Sequence, residues 1–166
     1  MKRKSSKLII ISTIAFTGIF FVSFLGFVAV NELTNTGGNS NSYKIDFAYI
    51  DIEGNLINSS EHKGKVIALY FFTITCPPCK ISSQHLKNIE DDYQSSQLLI
   101  ITISLNFEDS NGDLYNWRND LDASWIIVRD NINRDYSSQL DIAYTPTIII
   151  IDQNSNFVNR RTPDFD

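Results

Sequence analysis

Apolar and polar positions along the chain fall into three patterns. The first is a single run from Leu8 to Val30, 23 positions without a charged residue. As a helix rising about 1.5 Å per residue it would reach roughly 34 Å, enough to cross a hydrocarbon layer of about 30 Å. The second is a series of short apolar runs of strand length. These are Ile45–Ile52, Leu56-Ile57, Val66–Ile74, Leu98–Leu105, Trp125–Val128, Thr147–Ile151 and Phe157–Arg161. Val66–Ile74 (VIALYFFTI) and Leu98–Leu105 (LLIITISL) are almost continuously apolar, which predicts strands buried on both faces. The third pattern has the three- and four-residue spacing of helices. It predicts a helix from the Cys76 region to about Tyr93, with Leu86, Ile89 and Tyr93 on one stripe. Two shorter helices are predicted at Asp113–Leu121, carrying Leu114, Trp117 and Leu121, and at Arg134–Leu140. Turn residues separate the blocks at Glu53-Gly54-Asn55, His62–Lys65 and Asp152–Asn156. Strands alternating with helices imply an α/β domain, a sheet with helices packed on its faces.

The long apolar run reads as a membrane address. Lys2, Arg3, Lys4 and Lys7 precede it, and the first acid is Glu32. That asymmetry holds the N-terminus in the cytoplasm and puts the rest outside it, in the more oxidising compartment. A cleaved signal peptide competes with this reading, but its apolar region spans only about 7–15 residues and ends in small ones. Here bulky Phe27 and Val28 precede Ala29, and no cysteine follows that could carry a lipid. The expected organisation is a basic cytoplasmic tail at 1–7, a transmembrane anchor at 8–30, a flexible linker at 31–44 and one folded domain at 45–166. From Glu32 onward ten basic residues face 19 acidic ones, a net charge of −9. Such a body repels phosphate backbones, which argues against nucleic acid as a partner.

The chain has two cysteines, Cys76 and Cys79, so no disulfide framework staples the fold. They follow a predicted buried strand and open a predicted helix. In the first helical turn the free N–H groups and the helix dipole favour negative charge, and a thiolate is the reactive form of cysteine. Cys79 lies one turn along and can close a ring with Cys76: one sulfur attacks a partner, the other attacks back and releases it. Pro77 and Pro78 suit the first turn, where their missing N–H costs nothing. They also offer Cys76 no amide, so its backbone donors begin at Cys79, with the charge of Lys80 as a partial offset. Weak thiolate stabilisation favours a reducing couple over a strong oxidant. Downstream, Thr145-Pro146-Thr147 opens an apolar strand. Pro146 is either a plain strand start or a cis peptide lying against the dithiol.

These pieces occur in the order found in a known family. The leading hairpin Asp46-Phe47…Asp51-Ile52-Glu53-Gly54-Asn55, the Lys63-Gly64-Lys65 turn, Tyr70-Phe71-Phe72, Cys76-Pro77-Pro78-Cys79 and Thr145-Pro146-Thr147 span nearly the whole expected domain. The chain resembles the thioredoxin fold, in its membrane-anchored TlpA/ResA-like branch of thiol–disulfide oxidoreductases. The resemblance implies a thioredoxin-like central mixed sheet flanked by helices. It also implies that Cys76 is the exposed nucleophile, Cys79 the buried resolving thiol and Pro146 a cis-proline, with Thr75, Pro77, Pro78 and Thr145 shaping the site. No metal and no diffusible cofactor are expected beyond a redox-active Cys76–Cys79 disulfide. The expected partners are protein thiols and disulfides outside the cytoplasm and a membrane electron donor or acceptor.

The chain departs from that family at three points. Thr75 stands where a Trp is usual before the first Cys. Tyr70 stands where relatives carry a buried acid or amide, so a proton-transfer helper for Cys79 would have to be Tyr70 or a water. Relatives end in a helix over one face of the sheet, and only Thr162–Asp166 follow Arg161, so that helix is expected to be missing, through truncation or a shortened fold, with an apolar face uncovered. Rival readings remain. Zinc could draw on the two cysteines with His62 and His85, at spacings looser than a structural site uses. Thr73-Ile74-Thr75-Cys76 matches a peroxiredoxin-like Thr-x-x-Cys, but Leu69 replaces its upstream proline. A copper carrier would carry Cys-x-x-x-Cys and a later His. A thioredoxin-like module that binds peptides without turnover is the non-enzymatic rival. Trp117 and Trp125 are expected in the core, Asp91-Asp92 and Glu108-Asp109 on solvated faces, and Asn58-Ser59-Ser60 is a glycosylation sequon by pattern.

Overall fold

The computed structural model describes residues 43–162. The basic tail, the apolar anchor and most of the linker expected from the sequence lie outside the described residues. In chain order the elements are β1 (Ala48–Ile50), β2 (Leu56–Asn58), a 3-10 turn (Ser59–His62), β3 (Val66–Phe72) and α1 (Pro77–Asp92). There follow β4 (Leu98–Ser104), α2 (Asn111–Asp120), β5 (Ile126–Arg129), α3 (Asp135–Ser138), β6 (Thr147–Ile151) and β7 (Phe157–Arg161).

The two longest apolar runs, β3 and β4, lie side by side in the middle of a five-stranded sheet of order β5-β4-β3-β6-β7. They pair in parallel, Val66 opposite Leu98 through Phe72 opposite Ser104, and β5 extends the parallel set beside β4. Parallel neighbours need a crossover, and α1 and α2 supply the two of them. Both crossovers step across the sheet in the same direction, so their shared handedness sets both helices on one face. β6 and β7 return antiparallel on the other side of β3. The side chains of β3 then divide with a period of two. Ala68, Tyr70 and Phe72 join Leu86 of α1, Leu114 of α2 and Trp125 in one cluster. Leu69 and Phe71 join Ile101, Ile149 and the N-terminal Ile45, Phe47 and Tyr49 in the other. The β1–β2 hairpin is pinned to the outer edge of β5 through an Asp51–Val128 bridge.

Several expectations change. Ile89 and Tyr93 are exposed, and of their predicted stripe only Leu86 is buried, because α1 presents Cys79, Ser83 and Leu86 to the sheet. Asp109, expected on a solvated face, is buried and accepts from the Ser104 hydroxyl at 2.6 Å and the Asn106 amide at 2.6 Å. α2 starts at Asn111, two residues early, because Ser110 caps it. The predicted helix at Arg134–Leu140 shrinks to the single turn of α3; Arg134 sits in the left-handed region at φ 57°. Tyr43 and Lys44, assigned to the linker, belong to the folded domain: Lys44 bridges to Asn156 and the Tyr43 ring stacks on Phe157 at 4.9 Å. Asn58 caps the 3-10 turn by accepting from the Ser60 amide at 3.1 Å.

Candidate active site

β3 ends at Phe72, and four residues later Cys76 caps α1 in extended geometry (φ −87°, ψ 110°). Pro77 and Pro78 occupy the first helical positions. The Cys79 amide donates to the Cys76 sulfur at 3.2 Å. That is where the prolines force the first backbone donor to be. The two sulfurs are bonded to each other, with their Cα atoms 5.2 Å apart. Cys76 is half-buried, flanked by exposed Thr75, Pro77 and Pro78, whereas Cys79 is 1% exposed under the first turn. Burial thus distinguishes two sulfurs of the same motif. The His62 and His85 side chains of the zinc reading lie elsewhere, His62 in the 3-10 turn and His85 exposed on α1.

The Thr145–Pro146 peptide is cis, and the Thr145 carbonyl oxygen lies 3.9 Å from the Cys76 sulfur. The disulfide-bonded sulfur has no proton to donate, so this is a close approach rather than a hydrogen bond. The Thr147 hydroxyl donates to the Tyr144 carbonyl at 2.7 Å and fixes the turn that presents Thr145. A residue 69 positions away in sequence is thereby brought against the dithiol.

Beneath the pair, Tyr70 is fully buried and its hydroxyl donates to the Cys79 carbonyl at 2.8 Å. Ser83, also fully buried, donates to the same carbonyl at 2.7 Å and stands 3.4 Å from the Tyr70 hydroxyl. Burial pushes the Tyr70 hydroxyl up to about 12, and the neighbouring Ser83 and Ser82 hydroxyls act the other way without offsetting it. A phenol that stays protonated that far up the pH scale is a poor proton acceptor for a thiol at neutral pH. Its role in this geometry is to hold the Cys79 turn. Ser83 was not singled out by sequence; its signal was the four-residue spacing from Cys79, which lets a helical serine bond back to that carbonyl.

Two depressions flank the first turns of α1. A cleft of about 990 Å³ separates it from α2, with Thr75, Lys80 and Gln84 on one wall and Asp113 and Trp117 on the other. A second, apolar groove of about 580 Å³ lies on the β6 side. Trp117 stacks on Phe72 at 4.0 Å and Trp125 is buried beside it, both in the core as expected.

Comparison with known proteins meets this geometry. The chain is 27% identical over 105 residues to the thiol-disulfide oxidoreductase ResA of Halalkalibacterium halodurans, covering 63% of this chain and 57% of the relative. The chain therefore spans little more than half the length of the curated relative it matches. Among solved structures it is similar to a thiol:disulfide interchange protein of Chlorobium tepidum (TM-score 0.64, 18% identity, 76% of this chain and 89% of that one). It is likewise similar to the thioredoxin domain of a Bacteroides vulgatus thiol-disulfide oxidoreductase (TM-score 0.63, 19% identity, 74% and 88%). At such identities these structures speak for the fold alone. The family described as thioredoxin-like matches residues 64–157, more than half of the chain, from the turn before β3 to the start of β7. That match takes in the dithiol at the head of α1, the cis-proline against it and most of the mixed sheet beneath, and the chain belongs to the thioredoxin-like family.

Proposed function

We propose that this protein is a thiol–disulfide oxidoreductase that exchanges disulfides with protein clients outside the cytoplasm. The observation that supports it most is the inequality of the two sulfurs: Cys76 half-exposed at the head of α1, Cys79 sealed beneath it, the two already joined. In the reducing direction the Cys76 thiolate attacks one sulfur of a client disulfide, and the other client sulfur leaves as a thiolate and takes up a proton. Cys79 then attacks the Cys76 sulfur and expels the second client sulfur as a thiolate, which takes up the proton that Cys79 gives up. Two electrons pass to the client and the pair ends as a disulfide. The Thr145 carbonyl, beside Cys76, offers an acceptor to the client backbone at the point of attack.

A reducing role fits the cap. A single backbone amide, that of Cys79, meets the Cys76 sulfur, since the two intervening residues are prolines. A weakly stabilised thiolate makes the dithiol a stronger reductant. The name of the ResA relative is consistent with this class of chemistry. The charge asymmetry around Leu8–Val30 supports an N-in, single-pass anchor that keeps the domain outside the membrane, next to a membrane-borne electron donor.

Trapping tests the roles. In the full chain, Cys79→Ser should accumulate covalent adducts with client proteins that dithiothreitol dissolves, and Cys76→Ser should accumulate none. Equal adducts from both variants would refute the assignment. The equilibrium potential against glutathione tests the direction: about −270 mV indicates a reductant and about −120 mV an oxidant.

A further inference from the structure

The cleft between α1 and α2 has no part in the protein exchange described above, yet it adjoins the dithiol. Thr75, the residue before Cys76, lines it, and its volume of about 990 Å³ is that of a small-molecule site. Cys76, Lys80 and Gln84 follow one another at four-residue spacing, so one stripe of α1 leads from Cys76 to two side chains of the cleft wall over roughly 12 Å. On the facing wall Asp113, Trp117 and Asp120 follow at spacings of four and three along α2. Trp117 is half-buried and packs on the same buried cluster as Cys76. The polar side chains stand open. Lys80, Gln84 and Asp120 are exposed and make no side-chain hydrogen bond or ion pair with any described residue. Asp113 spends only Oδ2 on Ser110, which leaves Oδ1 without a partner among the described residues. The other titratable groups of the cleft are His85 on α1 and Asp109, whose carboxylate is spent on Ser104 and Asn106. Opposite charges thus line facing walls without closing on each other, which leaves room for a group that carries both signs.

We propose that this cleft binds small disulfides whose halves carry a free α-ammonium and a free α-carboxylate, cystine being the simplest, and that the dithiol reduces them as a second class of substrate. The proposal rests on the exchange reading above. One half docks with its carboxylate toward Lys80 and its ammonium toward Asp120 and the open oxygen of Asp113, which leads its sulfur up the α1 stripe to Cys76. The Cys76 thiolate attacks that sulfur, and the other half leaves as a thiolate and takes up a proton. Cys79 then attacks the Cys76 sulfur and expels the docked half in the same way, so one disulfide becomes two thiols and the dithiol becomes a disulfide. Charge selects this substrate. The chain from Glu32 onward carries a net −9, which repels disulfides bearing carboxylates alone, whereas a zwitterion is neutral overall and meets both signs in the cleft.

The test uses the full chain in detergent, reduced and freed of reductant, at neutral pH. It is oxidised by cystine, by dithiodipropionate, which lacks the ammonium groups, by cystamine, which lacks the carboxylates, or by hydroxyethyl disulfide, which lacks both. Acid quenching, alkylation and mass counting of the remaining protein thiols give each rate. Each rate is divided by that of the same disulfide with dithiothreitol, which removes differences in intrinsic reactivity. On this scale cystine should exceed each of the other three by about tenfold. Lys80→Gln should lower cystine relative to cystamine by about threefold, and Asp120→Asn should lower cystine relative to dithiodipropionate by about threefold. Both ratios compare attacks by one sulfur, so any change in the thiolate content of Cys76 cancels. Both positions are solvent-exposed, so the fold is kept. Cystine no faster than its one-sign analogues, or a ratio that its substitution leaves unmoved, overturns the proposal. If all four disulfides, hydroxyethyl disulfide included, leave the dithiol reduced, the exchange reading itself fails.

Discussion

Cys79 is held from below by two hydroxyls rather than by a charge. Tyr70 and Ser83 both donate to its carbonyl, and neither side chain reaches water. Tyr70→Phe removes one donor and leaves the other in place, so it should cost about 1 kcal/mol of stability, read as a lower urea midpoint. Tyr70→Phe with Ser83→Ala strips the carbonyl of both side-chain donors, and the pair should cost more than the sum of the single changes. At this scale the site was legible where chemistry is local. Cys76, Cys79 and the prolines declare themselves within four residues, and Pro146 is recognisable by the threonines around it. Ser83 was not legible, because a serine inside a helix has no distinctive neighbour and its bond points back to a carbonyl. Asp109 failed for a related reason: an acid next to Glu108 reads as solvated, and only the end of β4 reveals the Ser104 hydroxyl that receives it.

Among the elements, a single capping side chain, more than the apolar stripe, sets where a helix begins. Ser110 and Asp113 form a reciprocal cap: the Ser110 hydroxyl accepts from the Asp113 amide at 3.1 Å, and the Asp113 carboxylate accepts from the Ser110 amide at 3.3 Å. This explains why α2 begins at Asn111, three residues before its first apolar position, Leu114. Ser110→Ala should cost about 1 kcal/mol by urea unfolding. Leu114, which the cap directs into the core, is fully buried, and Leu114→Ala should cost about 2–5 kcal/mol. α3 is short because Asp130, buried ahead of it, accepts from the Tyr136 and Ser137 amides at 3.1 and 3.0 Å and fixes one turn only. Periodicity could not show that, since a bond from outside the helix sets its length. The Ile45–Ile52 run was overestimated as one strand because the alternation continues while the partner changes. Ile45 bonds to the Ser155 carbonyl at 2.9 Å, and Ala48–Ile50 pair with β2.

For the molecule as a whole, the alternation of strands and helices predicts a sheet flanked by helices and the family resemblance implies that it is mixed, while periodicity alone does not fix which strands run parallel. The same burial that builds the core sets its alkaline limit. Burial raises the Tyr49 hydroxyl, with Asp130 and Tyr136 adding to it, and raises the Tyr70 hydroxyl to about 12. A raised value in the folded state means that folding favours the protonated phenol. That stability is whole below the unfolded value of 10.0 and is lost as pH rises through about 12. Melting temperature should therefore fall across that window, and Tyr70→Phe should flatten part of the fall; an unchanged slope would deny Tyr70 its buried role.

The account depends most on the two sulfurs being unequal in reach. After reduction of the full chain, brief exposure to iodoacetamide followed by mass mapping reads that inequality directly. Cys76 should be alkylated at least about tenfold faster than Cys79, which the first turn of α1 seals from solvent. Equal labelling, or Cys79 labelled first, would contradict the account.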